Sequence, residues 1–263
     1  MTETPDEPRL AAAGLTLPGG TVTFLFSDIE GSTRLLEQLG DRYGEVHREH
    51  RRILREELGG AGGREVDTQG DAFFFSFERA RDAVSGAVAA QQELAEHSWP
   101  GGAEVKVRMG LHTGEPTVGE EGYLGMDVVR AARICSAGHG GQILLSETTR
   151  ALVGNSIPEG TEVRDLGEAN LKDVQHERIF ELALAGQEDA FPPLKTAAPK
   201  TSADDLAAQI ERKVHEQILA GFEPGPTDES TGKLAKLVLV GFLAAFLGLA
   251  ALAAIFLIVR ALV

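Results

Sequence analysis

The chain has 263 residues, 43% of them hydrophobic, and a formal net charge of −15. That apolar content suffices to bury a core and excludes a wholly disordered chain, while the acidic balance excludes a general nucleic-acid binder, which neutralises phosphates with clustered Lys and Arg. The single cysteine, Cys135, rules out an internal disulfide and gives no sign of an oxidising compartment.

Met1 to Arg9 is acidic and proline-containing and lacks the basic stretch and apolar core of a secretory signal, so residues 1–20 read as a disordered leader. Thr21 to Phe26 is a β-branched and aromatic run ending at Ser27-Asp28, with Gly31-Ser-Thr33 next: a strand, a tight turn and a helix start. Helical pattern continues to Leu58 and breaks at Gly59-Gly-Ala-Gly-Gly63. Arg64 to Val66 and Ala72 to Phe77 then read as a β-hairpin around Thr68-Gln-Gly-Asp71. A helix is expected from Arg79 to His97, a strand from Val105 to Leu111, and a helix from Gly125 to Cys135. Short strands come next at Gln142 to Leu145, Val163 to Leu166 and Arg178 to Leu184. The order βαββαβ with added elements predicts an α+β, ferredoxin-like sandwich over residues 21–186.

After Gln187 the composition shifts to Pro, Ala, Lys and Thr, which places a linker at 187–232. Within it Ser202 and Asp205 resemble a capping box, and Leu206, Ile210, Val214 and Ile218 form a narrow apolar stripe, giving an amphipathic helix over about 203–220. Such a helix dimerises, stacks on a membrane-proximal surface or acts as a spacer. Leu237 to Val259 carries no charge and is long enough to cross roughly 30 Å of hydrocarbon, so it reads as a transmembrane helix. Lys233 and Lys236 precede it and only Arg260 comes after, which orients the preceding body towards the cytoplasm.

Asp28 ends the first strand and Asp71 lies in the hairpin turn, so pairing of neighbouring strands brings two carboxylates to one sheet edge. Two such groups hold hard divalent cations, Mg²⁺ or Mn²⁺, as phosphate chemistry requires. Taken singly, an Asp at a strand end is more often a helix cap or turn former than a metal ligand, and it is the pair with the Gly-Ser-Thr turn that shifts the reading. The intervening segment Ile29-Glu-Gly-Ser-Thr33 adds backbone N–H groups at a helix start, where Ile29, Gly31, Ser32 and Thr33 can cradle phosphate.

Phe26-Ser-Asp-Ile-Glu-Gly-Ser-Thr-Arg34, Gln69-Gly-Asp71, Arg108-Met-Gly-Leu-His-Thr-Gly114 and Arg130-Ala-Ala-Arg133, in that order, resemble the class III adenylyl/guanylyl cyclase family over roughly Thr21 to Leu184. The resemblance implies a homodimer with active sites at the subunit interface and two metal ions per site. It also implies conversion of a nucleoside triphosphate, most simply ATP, to a 3′,5′-cyclic nucleotide and pyrophosphate for intracellular signalling. Asp28 and Asp71 match the family's metal-binding aspartates, and Arg133 matches the arginine that stabilises charge developing on the phosphates.

Three positions depart from the pattern. Asp67 stands where a base-reading lysine is usual, Gly122 where the partner's base-reading aspartate or threonine is usual, and Val129 where an asparagine orients the ribose or stabilises the transition state. Arg130 reads as a solvated neighbour. A second function is therefore open: a degenerate cyclase domain that binds nucleotide or dimerises and signals through the linker and membrane segment. A diguanylate cyclase relative would share the core and a Gly-Asp hairpin but fits the remaining motifs poorly. His112, Cys135 and the run Phe73-Phe-Phe75 read as structural, and the stretch around Leu171-Lys-Asp173 as a closing loop.

Overall fold

In the run Val-Thr-Phe-Leu-Phe-Ser-Asp-Ile, apolar side chains fall on both sides, as in a strand with no solvent face. The computed structural model describes residues 17–119, 122–185, 191–196, 202–203, 205–206, 208–210 and 212, all within the first of two units that divide after Glu216. The run forms β1 (Val22–Ile29), buried along its whole length. In chain order the next elements are α1 (Ser32–Leu39), α2 (Tyr43–Gly60), β2 (Arg64–Gln69), β3 (Ala72–Phe77), α3 (Ala80–Glu96) and β4 (Val107–Gly114). Then come β5 (Thr117–Gly119), β6 (Gly122–Leu124), α4 (Met126–Ala137), β7 (Ile143–Ser146), α5 (Glu147–Val153), β8 (Thr161–Leu171) and β9 (Val174–Leu184).

Seven strands form one sheet in the order β2-β3-β1-β4-β7-β9-β8, and β5 pairs with β6 apart from it. The β4–β7 pairing is parallel and the others are antiparallel. The α+β, ferredoxin-like expectation holds, with β1-α-β2-β3-α3-β4 as its nucleus.

Alternation along β1 and β3 divides the core in two. Leu25, Ile29, Phe73, Phe75 and Phe77 point to the face covered by α2 and α3, whereas Val22, Phe24, Phe26 and Phe74 point to the face covered by α4. On the second face Phe26 stacks on Phe74 with ring centroids 4.4 Å apart, and Phe24 meets Tyr123 edge-on at 4.9 Å. Each such buried ring contributes roughly 1.5–3 kcal/mol relative to exposure. Gly110 on β4 lets α4 approach, because a Cβ there would run into the backbone of Cys135. Cys135 fills core, and Phe73 to Phe75 alternate between the two faces.

Element boundaries differ from expectation where packing overrides local preference. β1 runs on through Ser27 and Asp28, poor strand formers, because β3 and β4 flank it and β4 pairs with it to Ile29. The helix expected to be continuous to Leu58 splits at a 3₁₀ turn over Gly40–Arg42. β8 is longer than the apolar pattern indicated because it is a polar edge strand with two bulges along its pairing to β9.

Both ends of the body extend further than composition suggested. The Tyr123 hydroxyl donates to the Pro18 carbonyl at 2.8 Å, so Leu17 and Pro18 pack on the body. Beyond the expected boundary at Gln187, Ala203 and Leu206 have no exposed surface and sit in the α4-side core, with Ile210 against it. The Ser202 hydroxyl donates to Asp71 Oδ1 in the body. Among the described residues no helix is long and apolar enough to cross a membrane. The expected span 237–259 lies outside the described residues, as do Val214, Ile218 and residues 1–16 of the leader.

Candidate active site

Phe24, Phe26 and Asp28 share one face of β1, so the carboxylate of Asp28 emerges on the α4 side, at the end of an apolar row. Directly across the strand pair, Asp28 is in register with Arg108 of β4. The guanidinium grips the carboxylate with two prongs: Nε donates to Oδ1, and Nη2 donates to Oδ2 at 3.0 Å. Arg108 is fixed in turn by Ser136 at the end of α4, whose carbonyl accepts from Nη1 at 3.3 Å. Burial pushes the Asp28 carboxyl above its ordinary range, against the pull of Arg108 and with a further push from the charge on Asp71.

Asp71 reaches the same place from the β2–β3 turn. Gly70 takes a positive φ of 61° to make that turn, and its carbonyl is clamped by α2, accepting from His47 Nε2 at 2.7 Å and Arg51 Nη2 at 2.9 Å. Held there, Asp71 Oδ2 accepts the Ile29 N–H at 3.1 Å, so its carboxylate lies beside the residue next to Asp28. The charge of Asp71 also raises the Tyr43 hydroxyl, behind the larger effect of burial.

The two carboxylates therefore share one locus, and its donor chemistry suits a hard divalent ion. No group of three or more His, Cys, Asp or Glu gathers among the described residues, so an ion here would take two carboxylates from the chain, with the rest of its shell left to water and phosphate oxygens, an arrangement Mg²⁺ tolerates. Beside it, α1 begins at Gly31 with φ 70°, and no side chain caps it. Gly31 and Thr33 are exposed and Ser32 partly so, leaving first-turn N–H groups open to an anion. Ile29 is buried.

The family model for the adenylate and guanylate cyclase catalytic domain matches residues 17–183 of the chain. The chain belongs to the class III adenylate/guanylate cyclase family. An uncharacterized protein of Mycobacterium tuberculosis is 34% identical over 185 residues, covering 68% of this chain and 62% of that protein. The chain thus spans about three fifths of the length of this relative. An adenylate cyclase of Podospora anserina is 30% identical over 236 residues, covering 66% of this chain and 11% of its own length. Among solved structures, the adenylyl cyclase CyaB from P. aeruginosa superposes with a TM-score of 0.55 at 24% identity, covering 69% of this chain and all (100%) of that one. The guanylate cyclase domain of RhGC from Catenaria anguillulae, in complex with GTP, gives 0.57 at 20% identity, covering 63% of this chain and 97% of that one.

In this cyclase domain Arg133, on α4, directs Nη2 to Asp173 in the β8–β9 turn at 3.1 Å, whereas Asp28 and Asp71 face Arg108, Ile29 and residues 202–203. Val129 is buried on α4, and Asp67 lies next to a bulge in β2, its Oδ1 accepting the Thr68 N–H at 2.8 Å. Gly122 is buried in β6 with φ 133°. Arg130, expected to be solvated, is ion-paired to Glu177 at 3.1 Å and lies 3.7 Å from Asp127. His112 is structural: it is hydrogen-bonded to Ser146 at 2.9 Å and to Asp127 at 3.1 Å, tying β4 to the start of α4. Burial lowers its pKa despite Asp127.

Arg108 stands in one of the sequence motifs, but its role emerges only from the fold. A signal for it existed: once β1 and β4 are neighbours and antiparallel, a buried Asp needs a cation opposite it. Local pattern also gave no hint of Lys195, whose ammonium pairs with Glu30, or of the reach of Ser202 to Asp71.

Proposed function

We propose that this chain is a metal-dependent nucleotide cyclase that converts a nucleoside triphosphate, most simply ATP, to a 3′,5′-cyclic nucleotide and pyrophosphate. The observation that carries the reading is the meeting of Asp28 and Asp71 at one locus, with Ile29 N–H bonded to Asp71 Oδ2 and an uncapped α1 start beside it. In the reaction the ribose 3′-oxygen attacks the α-phosphorus, the 3′-hydroxyl proton passes to solvent, and the bond to the β-phosphate breaks. Two divalent ions, Mg²⁺ or Mn²⁺, would be held by Asp28 and Asp71 and would neutralise the triphosphate and the departing pyrophosphate.

The chain's own residues bind and orient. Gly31, Ser32 and Thr33 offer N–H groups to phosphate oxygens, and Arg108 aims Asp28 and opposes the upward push of burial on its carboxyl. Arg133 steadies charge that grows on the phosphates. Because Arg133 faces Asp173 in its own chain, a homodimer in which α4 of one protomer serves the aspartates of the other completes the site. Asp67, Gly122 and Val129 replace the residues that the resemblance assigns to the nucleoside end, so altered base preference and slow turnover are expected. The uncharged segment 237–259 would tether the body to the cytoplasmic side of a membrane.

The test is the full chain in detergent with each nucleoside triphosphate and saturating Mn²⁺, compared with Asp71→Ala. Cyclic product well above that control supports the reading. Product equal to it overturns catalysis and leaves a nucleotide-binding or dimerising module.

A further inference from the structure

A segment from outside the matched domain lies on the two carboxylates. Ser202 Oγ donates to Asp71 Oδ1 at 2.8 Å, and the Ala203 N–H donates to Asp28 Oδ2 at 3.5 Å, so two consecutive residues touch both acidic groups. The body's own donors leave those positions open. Arg108 takes Oδ1 and one side of Oδ2 on Asp28, and Ile29 takes Oδ2 on Asp71. Each carboxylate oxygen has two lone pairs, and residues 202–203 occupy two of those the body does not use, one on each aspartate.

The segment is anchored on either side of this contact. The Lys195 N–H donates to the Ala137 carbonyl at 2.9 Å, its ammonium donates to the Gly138 carbonyl at 3.0 Å, and the same ammonium pairs with Glu30, two residues from Asp28. Burial raises Glu30, but the hydrogen bonds from Lys195 and the Gly140 N–H more than offset it and hold the carboxyl below its ordinary range. Phe191 lies parallel to the His139 ring at 6.1 Å. Past the carboxylates, Ala203 and Leu206 are fully buried among Phe24, Phe26, Val128 and Ala132.

We propose that the described parts of residues 191–212 form an intramolecular plug that occupies the divalent-ion locus and must leave before metal enters. The proposal rests on the reading of Asp28 and Asp71 as the ion's ligands. A metal–oxygen bond is roughly 2.0–2.1 Å for Mg²⁺, so an ion on these carboxylates claims the space now held by the Ser202 hydroxyl and the Ala203 amide. The hydroxyl oxygen has lone pairs that can ligate an ion. The Ala203 N–H has none to offer, so the segment in this position blocks the site and does not complete it. Closed plug and bound cation are mutually exclusive states, and any partner that draws residues 191–212 away activates the site.

The test is Mn²⁺ binding to the full chain without nucleotide, read from the electron paramagnetic resonance of free Mn²⁺. Wild type is compared with Leu206→Asp, which cannot bury its side chain, and Lys195→Glu, which repels Glu30; each is also made with Asp71→Asn. A plug closed in nine chains of ten lowers apparent affinity about tenfold, so both plug variants are expected to half-saturate at about one tenth of the wild-type Mn²⁺ concentration. Amide exchange in residues 202–210 is expected to quicken in wild type as Mn²⁺ is added. Equal half-saturation in wild type and both plug variants, with binding still abolished by Asp71→Asn, overturns the plug and spares the metal site. Binding that survives Asp71→Asn in the Leu206→Asp background overturns the metal locus and the plug with it. An unchanged far-UV circular dichroism spectrum and melt of the body show that each variant folds.

Discussion

Replacing Arg108 with Leu tests the electrostatic core of the site without touching the aspartates. The side chains of Arg108 and Asp28 are 8% and 1% exposed, so the change strands a carboxylate away from water. Breaking a buried ion pair from one side costs about 3–5 kcal/mol, which in a domain of this size lowers the melting temperature by about 6–20 °C. The cost carries a pH signature. Burial already raises the folded-state pKa of Asp28, and Arg108 is the main force opposing that rise. Without Arg108 the folded state holds its proton to higher pH than the unfolded chain, whose value is near 3.9. Between the two values the folded state binds more protons, so stability falls as pH rises; the deficit is complete above the folded pKa and vanishes below about 3.9. Urea unfolding of wild type and Arg108→Leu from pH 4 to 8 reads this directly, and Asp28→Asn added to Arg108→Leu is expected to recover most of the loss at pH 8. A cost under about 1 kcal/mol with no pH slope would refute the buried pair as the feature that fixes Asp28.

His50 and Val129 each carry a further prediction. His50 is buried against Phe73 with ring centroids 5.7 Å apart, and its pKa is lowered to about 3, chiefly by burial. The unfolded state therefore binds the extra proton between about pH 6.5 and 3, and stability drains as pH falls through that window, by up to about 4–5 kcal/mol. In His50→Leu the acid side of the stability profile is expected to flatten by that amount, and an unchanged profile in acid unfolding would contradict it. Val129→Asn returns a hydrogen-bonding group to α4, and its kcat with Mn²⁺ is expected to rise tenfold or more, since loss of one such group can cost roughly 10²–10³ in rate. No gain in kcat at unchanged fold would remove Val129 as the residue that limits turnover.

The sheet was legible because its strands are local and apolar: Phe73-Phe-Phe-Ser-Phe77 carries apolar side chains on both sides, as a strand covered on both faces does. The ends of β1 and β8 were not, because Ser27-Asp28 and the polar edge residues of β8 are held in strands by their neighbours and not by their own preference. The same limit hid part of the site. Asp28 and Asp71 stood out by type and position, but Arg108 is 80 residues from Asp28 in the chain and Ser202 is 131 from Asp71. Pairings across such distances depend on register, which no local pattern reports. Composition gave no sign that part of the stretch after Gln187 seats on the body, since a Pro, Ala, Lys and Thr-rich stretch carries little apolar content, yet Ala203 and Leu206 are buried on the α4 face.

The strength of the plug is divided unevenly between its polar tip and its apolar shank. At the tip, a hydroxyl and an amide satisfy the carboxylates only as hydrogen bonds, a typical one contributing about 0.5–1.5 kcal/mol net. The Ala203 contact, at 3.5 Å, lies at the weak end. Loss of the Ser202 hydroxyl also leaves Asp71 Oδ1 free for water or an ion and so strands nothing. Leu206, fully buried, contributes roughly 1.5–3 kcal/mol through its burial alone, and a charge in its place adds the cost of desolvation. Ser202→Ala is therefore expected to shift Mn²⁺ half-saturation by less than about threefold, against about tenfold for Leu206→Asp. The reverse order would place the energy of closure at the carboxylates and make the plug a direct rival of the ion for charge, with apolar seating only a consequence.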